Sequence, residues 1–331
     1  MPTGIVPLTV ETKAISAQGG DRLIFNVPND APLASWGVRI KGNIVIGTAA
    51  ATGAQSGGIA NIIRQVQIQD KNEKRMNLLG RDWRILHVLQ QQGSLQVTEP
   101  GLTVATQPFE IVLERYHQMP RMLQPWADQG ILPNHLTRDV QVVLDIDPPT
   151  SVLLPAGTTT LAYSGVTCEF FVNQARPAPW GADFYINEQL AYIEDATIVT
   201  STGRRDLRLN NGGRYRHLIM VCETTTASLR SFDDAVVNEI ILNANLTQFC
   251  KVNWNALRSQ NRAQFLLPST LTGTAVLDWT KYFSPNELFD ARTLENGGND
   301  FKLTIEVVQA GTLFRVVPVR LFGNFVQIQG G

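Results

Sequence analysis

Four histidines, His87, His117, His135 and His217, are the side chains of this 331-residue chain best suited to hold a metal or move a proton near neutral pH. None stands in an H-x-H or H-E-x-x-H arrangement, and no cysteine or carboxylate recurs beside them at metal-ligand spacing. His87 falls in a helical pattern and His217 at the start of a strand, where a lone histidine satisfied by its neighbours is the ordinary case. No G-x-S-x-G elbow offers a nucleophilic serine. The glycine pairs Gly19-Gly20 and Gly57-Gly58 punctuate turns rather than open a phosphate-binding loop. The sequence therefore assigns no catalytic residue, no cofactor and no metal site.

Paired carboxylates need a closer look, because two acids converging across a cleft hydrolyse glycosidic bonds. Asp145 and Asp147 flank a strand end, Asp233 and Asp234 precede a strand, and Glu110 and Glu114 bracket another. Carboxylates at such places are mostly solvated loop groups. The alternative function they leave open is a two-jelly-roll glycan hydrolase, with acidic residues of both halves meeting at the domain seam. A two-cupin metalloenzyme would need clustered histidines, and these four are scattered. Cys168, Cys222 and Cys250 make an odd number without C-x-x-C spacing, each among apolar neighbours, as expected of buried thiols in a reducing compartment.

The composition sets further limits. Apolar residues make up 44% of the chain, enough for a full core in each of two domains. Charged residues make up 17%, against roughly 25% in ordinary soluble domains. Interface cores are poor in charge because desolvating it is costly, so this deficit points to self-association. The net charge is −1, and Met1 to Gly20 hold one cation, Lys13. A basic arm for gripping a genome is absent, and no direct nucleic-acid contact is expected. The uncharged stretches 42–63 and 148–168 are interrupted by Gly, Pro, Ser and Thr, so neither reads as a membrane span.

The elements that carry these residues are mostly strands. In Asp139 to Ile146 the positions 140, 142, 144 and 146 are apolar, and in Phe301 to Val307 the odd positions are. Such period-two alternation gives a strand with one face in a core. Dense turn signals separate many short strands, which predicts a sandwich or barrel. Two helical stretches interrupt them. Asn77 to Leu86 places Leu79, Trp83 and Leu86 at i, i+4 and i+7, and Phe249 to Leu257 places Cys250, Trp254 and Leu257 at the same spacing. A shift of 171 lays Leu78 on Phe249, Leu79 on Cys250, Trp83 on Trp254 and Leu86 on Leu257. Val112-Leu113-Glu114 matches Val276-Leu277-Asp278 at a shift of 164, and Asp139–Ile146 matches Asp300–Val307 at 161. The order strand, helix, strand, loop, strand thus recurs, which means duplication of a whole domain. The expected fold is all-β with short helices: two tandem eight-stranded jelly-roll β-sandwiches. The expected division is an N-terminal arm over 1–19, a first jelly roll over 20–174, a linker over 175–182 and a second jelly roll over 183–331.

A duplicated eight-stranded sandwich with a helix after a middle strand of each half resembles the double jelly-roll major capsid proteins. That lineage covers tailless icosahedral phages with an internal membrane, and also adenovirus-type hexons. The resemblance spans about Arg22 to Val326 and rests on topology and the Trp83/Trp254 repeat. It implies a non-enzymatic subunit of a virion capsid, a homotrimer whose six jelly rolls form a pseudo-hexameric capsomer. Its implied partners are sister chains, neighbouring trimers, penton and minor capsid proteins, and an internal viral membrane reached by the N-terminal arm. Assembly in a host cytoplasm is implied too. The loops Thr48–Gly58 and Pro148–Ser164 are candidates to lie against another subunit.

Overall fold

The computed structural model describes residues 4–31, 33–70, 73–91, 95–116, 140–176, 188–192, 195–199, 201–209, 214–244, 247–279, 289–291 and 301–322. The chain divides between Glu188 and Gln189 into two compact units. Numbering the sandwich strands alone, the first unit contains β1 (Gly4–Ala14), β2 (Arg22–Asn26), β3 (Leu33–Ile46), β4 (Ile63–Asp70), β5 (Glu73–Leu78), helix α1 (Gly80–Gln90), β6 (Thr106–Tyr116), β7 (Val140–Ile146) and β8 (Leu161–Arg176). The second contains β9 (Asp195–Val199), β10 (Gly203–Arg208), β11 (Arg214–Thr226), β12 (Val237–Ala244), β13 (Thr247–Asn253), helix α2 (Trp254–Gln264), β14 (Thr274–Asp278), β15 (Phe301–Val307) and β16 (Thr312–Phe322).

The two units have one topology. In the first, one sheet runs β1-β8-β3-β6 and the other β5-β4-β7-β2. In the second, the sheets run β9-β16-β11-β14 and β13-β12-β15-β10. Every strand of the first unit thus finds its counterpart eight places later, and every pairing is antiparallel. This is the expected pair of eight-stranded sandwiches. Register repeats as well: Val66 lies opposite Leu144 and Leu78, while Ile240 lies opposite Ile305 and Val252. The alternating strands β7 and β15 even share one burial pattern along their seven residues.

The stretch expected to be a free arm over 1–19 is different. Its residues 4–14 form β1, which pairs along β8 from Gly4 opposite Arg176 to Ala14 opposite Thr167. The sandwich needs this strand to reach eight. The expected linker 175–182 begins inside β8, and from residue 177 on it lies outside the described residues.

Each core is filled by inward side chains of both sheets. In the first unit Phe25 stacks on Phe170 at 5.1 Å between ring centres, and Trp36 meets Trp83 at 5.0 Å. In the second, Tyr215 meets Phe301 edge-on at 5.2 Å beside Leu218, Met220, Leu303 and Trp254. Isolated eleven-residue helices are marginal in water, so α1 and α2 depend on such packing. Asn253 also caps α2, its side chain accepting from the Asn255 and Ala256 amides at 3.0 and 3.3 Å.

Candidate functional site

The groups suited to chemistry are committed locally, within their own units. Asp145 faces Arg64 at 3.6 Å and Arg22 at 3.9 Å, and Asp147 faces Arg64 at 4.0 Å. Asp233 accepts from the Ala235 amide at 2.8 Å, while Asp234 pairs with Arg258 at 2.7 Å. Glu110 binds Arg39 at 2.7 Å, and Glu114 accepts from Asn173 at 2.7 Å and from Ser35. His217 lies 3.0 Å from Asp278. His117 and His135 lie outside the described residues. Among the described residues no three His, Cys, Asp or Glu side chains converge as a metal site would require, and no helix is long and apolar enough to cross a membrane. Burial pushes the Cys168 and Cys222 thiols well above the ordinary range, and the half-buried Cys250 is raised by the same cause.

The helices are fastened by a repeated device. On α1, Arg84 donates to the Gly57 carbonyl at 2.8 Å and pairs with Glu99. Three residues on, buried His87 accepts the Glu114 amide of β6 at Nδ1, 2.8 Å away. On α2, Arg258 pairs with Asp234 and donates to the Leu271 carbonyl at 3.1 Å. Three residues on, Asn261 clamps the amide and carbonyl of Val276 on β14, both at 2.8 Å. The arginine and the clamp therefore repeat at a shift of 174, as do the hairpin residues Val66/Ile240 and Leu78/Val252.

This corrects the register read from the tryptophans. Leu79 is the residue before α1, half-buried. Trp83 is the fourth helical residue, fully buried, with its indole N–H on the Glu114 carbonyl at 3.3 Å. Leu86 is buried on the same helix. Cys250 does not lie on α2 but in β13, opposite Leu242. Trp254 is the first residue of α2, in the place of Gly80, and Leu257 takes the place of Trp83; both are buried. Gly80 is tight because a Cβ there would come 2.1 Å from the Ala60 carbonyl oxygen. Likewise the clamp pairs Glu114 with Val276, two residues earlier than the match to Asp278. The signal that would have found this register was the pair Arg84 and Arg258.

What remains is surface. The loops 48–58 and 148–160 are tied together by a two-residue ribbon, Gly53–Ala54 against Leu153–Leu154, and Thr159 donates to the Ala49 carbonyl at 3.1 Å. Of the sandwich edges, β10 carries Arg204, Arg205 and Arg208 in the open, and β6 is flanked by the short strand Val97–Thr98. At β2, Lys13 donates to the Ile24 carbonyl at 2.6 Å. Three edges keep apolar groups in solvent: Val6 and Leu8 on β1 are 45% and 41% exposed, Ile24 on β2 is 40% exposed, and Phe249 on β13 is 50% exposed.

The same architecture occurs in known viral shell proteins. The crystal structure of the STIV MCP covers 99% of this chain and all of its own length, with a TM-score of 0.74 at 15% identity. This chain is a double jelly roll. The subunit in the atomic structure of Sulfolobus turreted icosahedral virus aligns over 98% of this double jelly roll and 92% of its own length, with a TM-score of 0.72 at 14% identity. The major capsid protein P2 of bacteriophage PM2 aligns over 97% and 99%, with a TM-score of 0.62 at 11% identity. No protein-family model matches the sequence. No curated protein matches it at the sequence level either.

Proposed function

We propose that this double jelly roll is a major capsid protein, a non-enzymatic subunit of an icosahedral virion shell. One observation carries the reading: the same eight-strand order, with a helix at the same point, occurs twice in a chain that viral major capsid proteins match end to end. Two like sandwiches per chain give six in a homotrimer, which is the composition of a pseudo-hexameric tile. The low charge of 17% suits a subunit whose flanks are covered by sister chains and neighbouring trimers. Penton and minor capsid proteins complete the set of partners, and the neutral N-terminal stretch gives no direct hold on nucleic acid. Assembly takes place in a host cytoplasm, where three unpaired cysteines remain reduced. A tether to an internal membrane gains no support from residues 4–14, which are committed to a sheet.

Gel filtration coupled to light scattering tests the reading. The expected mass is three times 36.6 kDa, about 110 kDa, with negative-stain particles of hexagonal outline and threefold symmetry. A monomer that persists at micromolar concentration and beyond would overturn it.

A further inference from the structure

We propose that Ser35 and Asn173 join in an ester bond between the adjacent strands β3 and β8, with Glu114 of β6 passing the proton. The three side chains meet within the first unit. Ser35 donates through Oγ to Glu114 Oε1, and Asn173 Nδ2 donates to that same oxygen and to Ser35 Oγ, both at 2.7 Å. Ser35 lies directly opposite Asn173, and such partners have Cβ atoms about 4.5–5.5 Å apart. Glu114 reaches in from the other side of β3, where it lies opposite Gly37. Glycine leaves the room for this: a Cβ there would come 2.6 Å from the Phe171 ring and 3.1 Å from Glu114 Cα. The fold itself does not ask for the trio. By register, the equivalent positions of the second unit hold His217, Val319 and Val276.

Each group stands where one step of an acyl transfer needs it. A serine hydroxyl becomes a nucleophile when a base within hydrogen-bond reach takes its proton, and Glu114 is in that position. The amide carbon of Asn173 is one bond, about 1.3 Å, beyond Nδ2, so it lies no more than about 4 Å from Ser35 Oγ. Attack proceeds from about 3–3.5 Å, a gap that a turn of the carboxamide closes. Ser35 Oγ adds to Asn173 Cγ as its proton passes to Glu114. The Cγ–Nδ2 bond then breaks as Glu114 hands that proton to Nδ2, which the same Oε1 already touches. The products are the ester and ammonia, and Glu114 ends as the carboxylate it began as. Ammonia escapes as ammonium after taking a proton from solvent, which makes the step one-way. Ser35 is 2% and Glu114 9% exposed, so water is kept from hydrolysing the ester. The bond ties residues 138 apart in a chain whose three cysteines are free.

Mass spectrometry of the intact, folded full chain tests this. The chain should be lighter than its sequence by one ammonia. After trypsin, the peptides carrying Ser35 and Asn173 should run as one, and mild alkaline hydroxylamine should separate them. Ser35→Ala and Glu114→Gln should keep the full mass with unchanged circular dichroism, while Ser35→Thr, which retains the nucleophile, should still cross-link. Should a variant fail to fold, the wild-type mass and its joined peptide decide alone. A wild type of full mass overturns the proposal. So does a loss of ammonia that persists in Ser35→Ala, or conversion of Asn173 to aspartate without a joined peptide. None of these results bears on the oligomeric state by which the shell reading is tested, so the two can fail separately.

Discussion

His87 makes the fastening of α1 sensitive to acid, whereas the amide at the equivalent place on α2 does not titrate. Its Nδ1 accepts the Glu114 amide at 2.8 Å, so the ring must be unprotonated there. A second proton would break that bond and leave the Glu114 carbonyl, 3.2 Å from Nδ1, as its acceptor. Burial is the main force lowering the pKa of His87, opposed by its bond to the Glu114 backbone and by the Glu114 charge. In an unfolded chain, histidine titrates near 6.5. Below that pH the unfolded state binds the proton and the folded state resists it, so this group's stabilising effect is full above about 6.5 and lost as pH falls. The loss can reach about 1.4 kcal/mol per pH unit, hence about 2 kcal/mol between pH 6.5 and 5.0 if the folded ring stays neutral. At the equivalent place Asn261 makes the same kind of clamp with an amide that does not titrate. His87→Asn should therefore leave stability at pH 7.5 within about 1 kcal/mol and flatten its decline towards pH 5. Urea unfolding of wild type and variant across this range, with hydrogen exchange followed at β6 and β14 separately, reads the effect. Equal pH slopes for the two proteins would refute the reasoning.

Three further outcomes follow from packing. Gly80→Ala normally favours a helix by about 1 kcal/mol, but here the added carbon meets the Ala60 carbonyl at 2.1 Å, so the melting temperature should fall. Arg315 on β16 and Glu223 on β11 form an ion pair with each side chain 1% exposed. Arg315→Met alone should cost about 3–5 kcal/mol in urea unfolding, whereas adding Glu223→Leu should recover most of it. Ellman's reagent should modify half-buried Cys250 first and reach Cys168 and Cys222 only as the protein unfolds, because a buried neutral thiol is a poor nucleophile.

The fold class was legible because period-two alternation depends directly on which face of a strand is buried. Val140–Ile146 and Phe301–Val307 carry that signal plainly, and both are core strands of matching register. The helix register was misread because two tryptophans in similar surroundings need not occupy one position. A core asks for volume, and Trp254 with Leu257 fills the space that Gly80 and Trp83 share in the first unit. In β1 the alternation Val6, Leu8, Val10 was present in the sequence. Pro7 and the exposed flank hid it, since an edge strand half open to water looks like a loose arm. The open edges were not readable at all, because exposure is settled by which strands end a sheet and not by local pattern.

The helix clamps address the main chain: an imidazole in one unit and an amide in the other each hold a peptide group, of Glu114 and of Val276. A latch of that kind is indifferent to the side chain it fastens, so those positions are free to drift to unrelated residues without loosening the joint. A joint made through the main chain keeps its shape while its side chains change, which is how folds can stay superimposable over whole chains when only 8–15% of the letters agree.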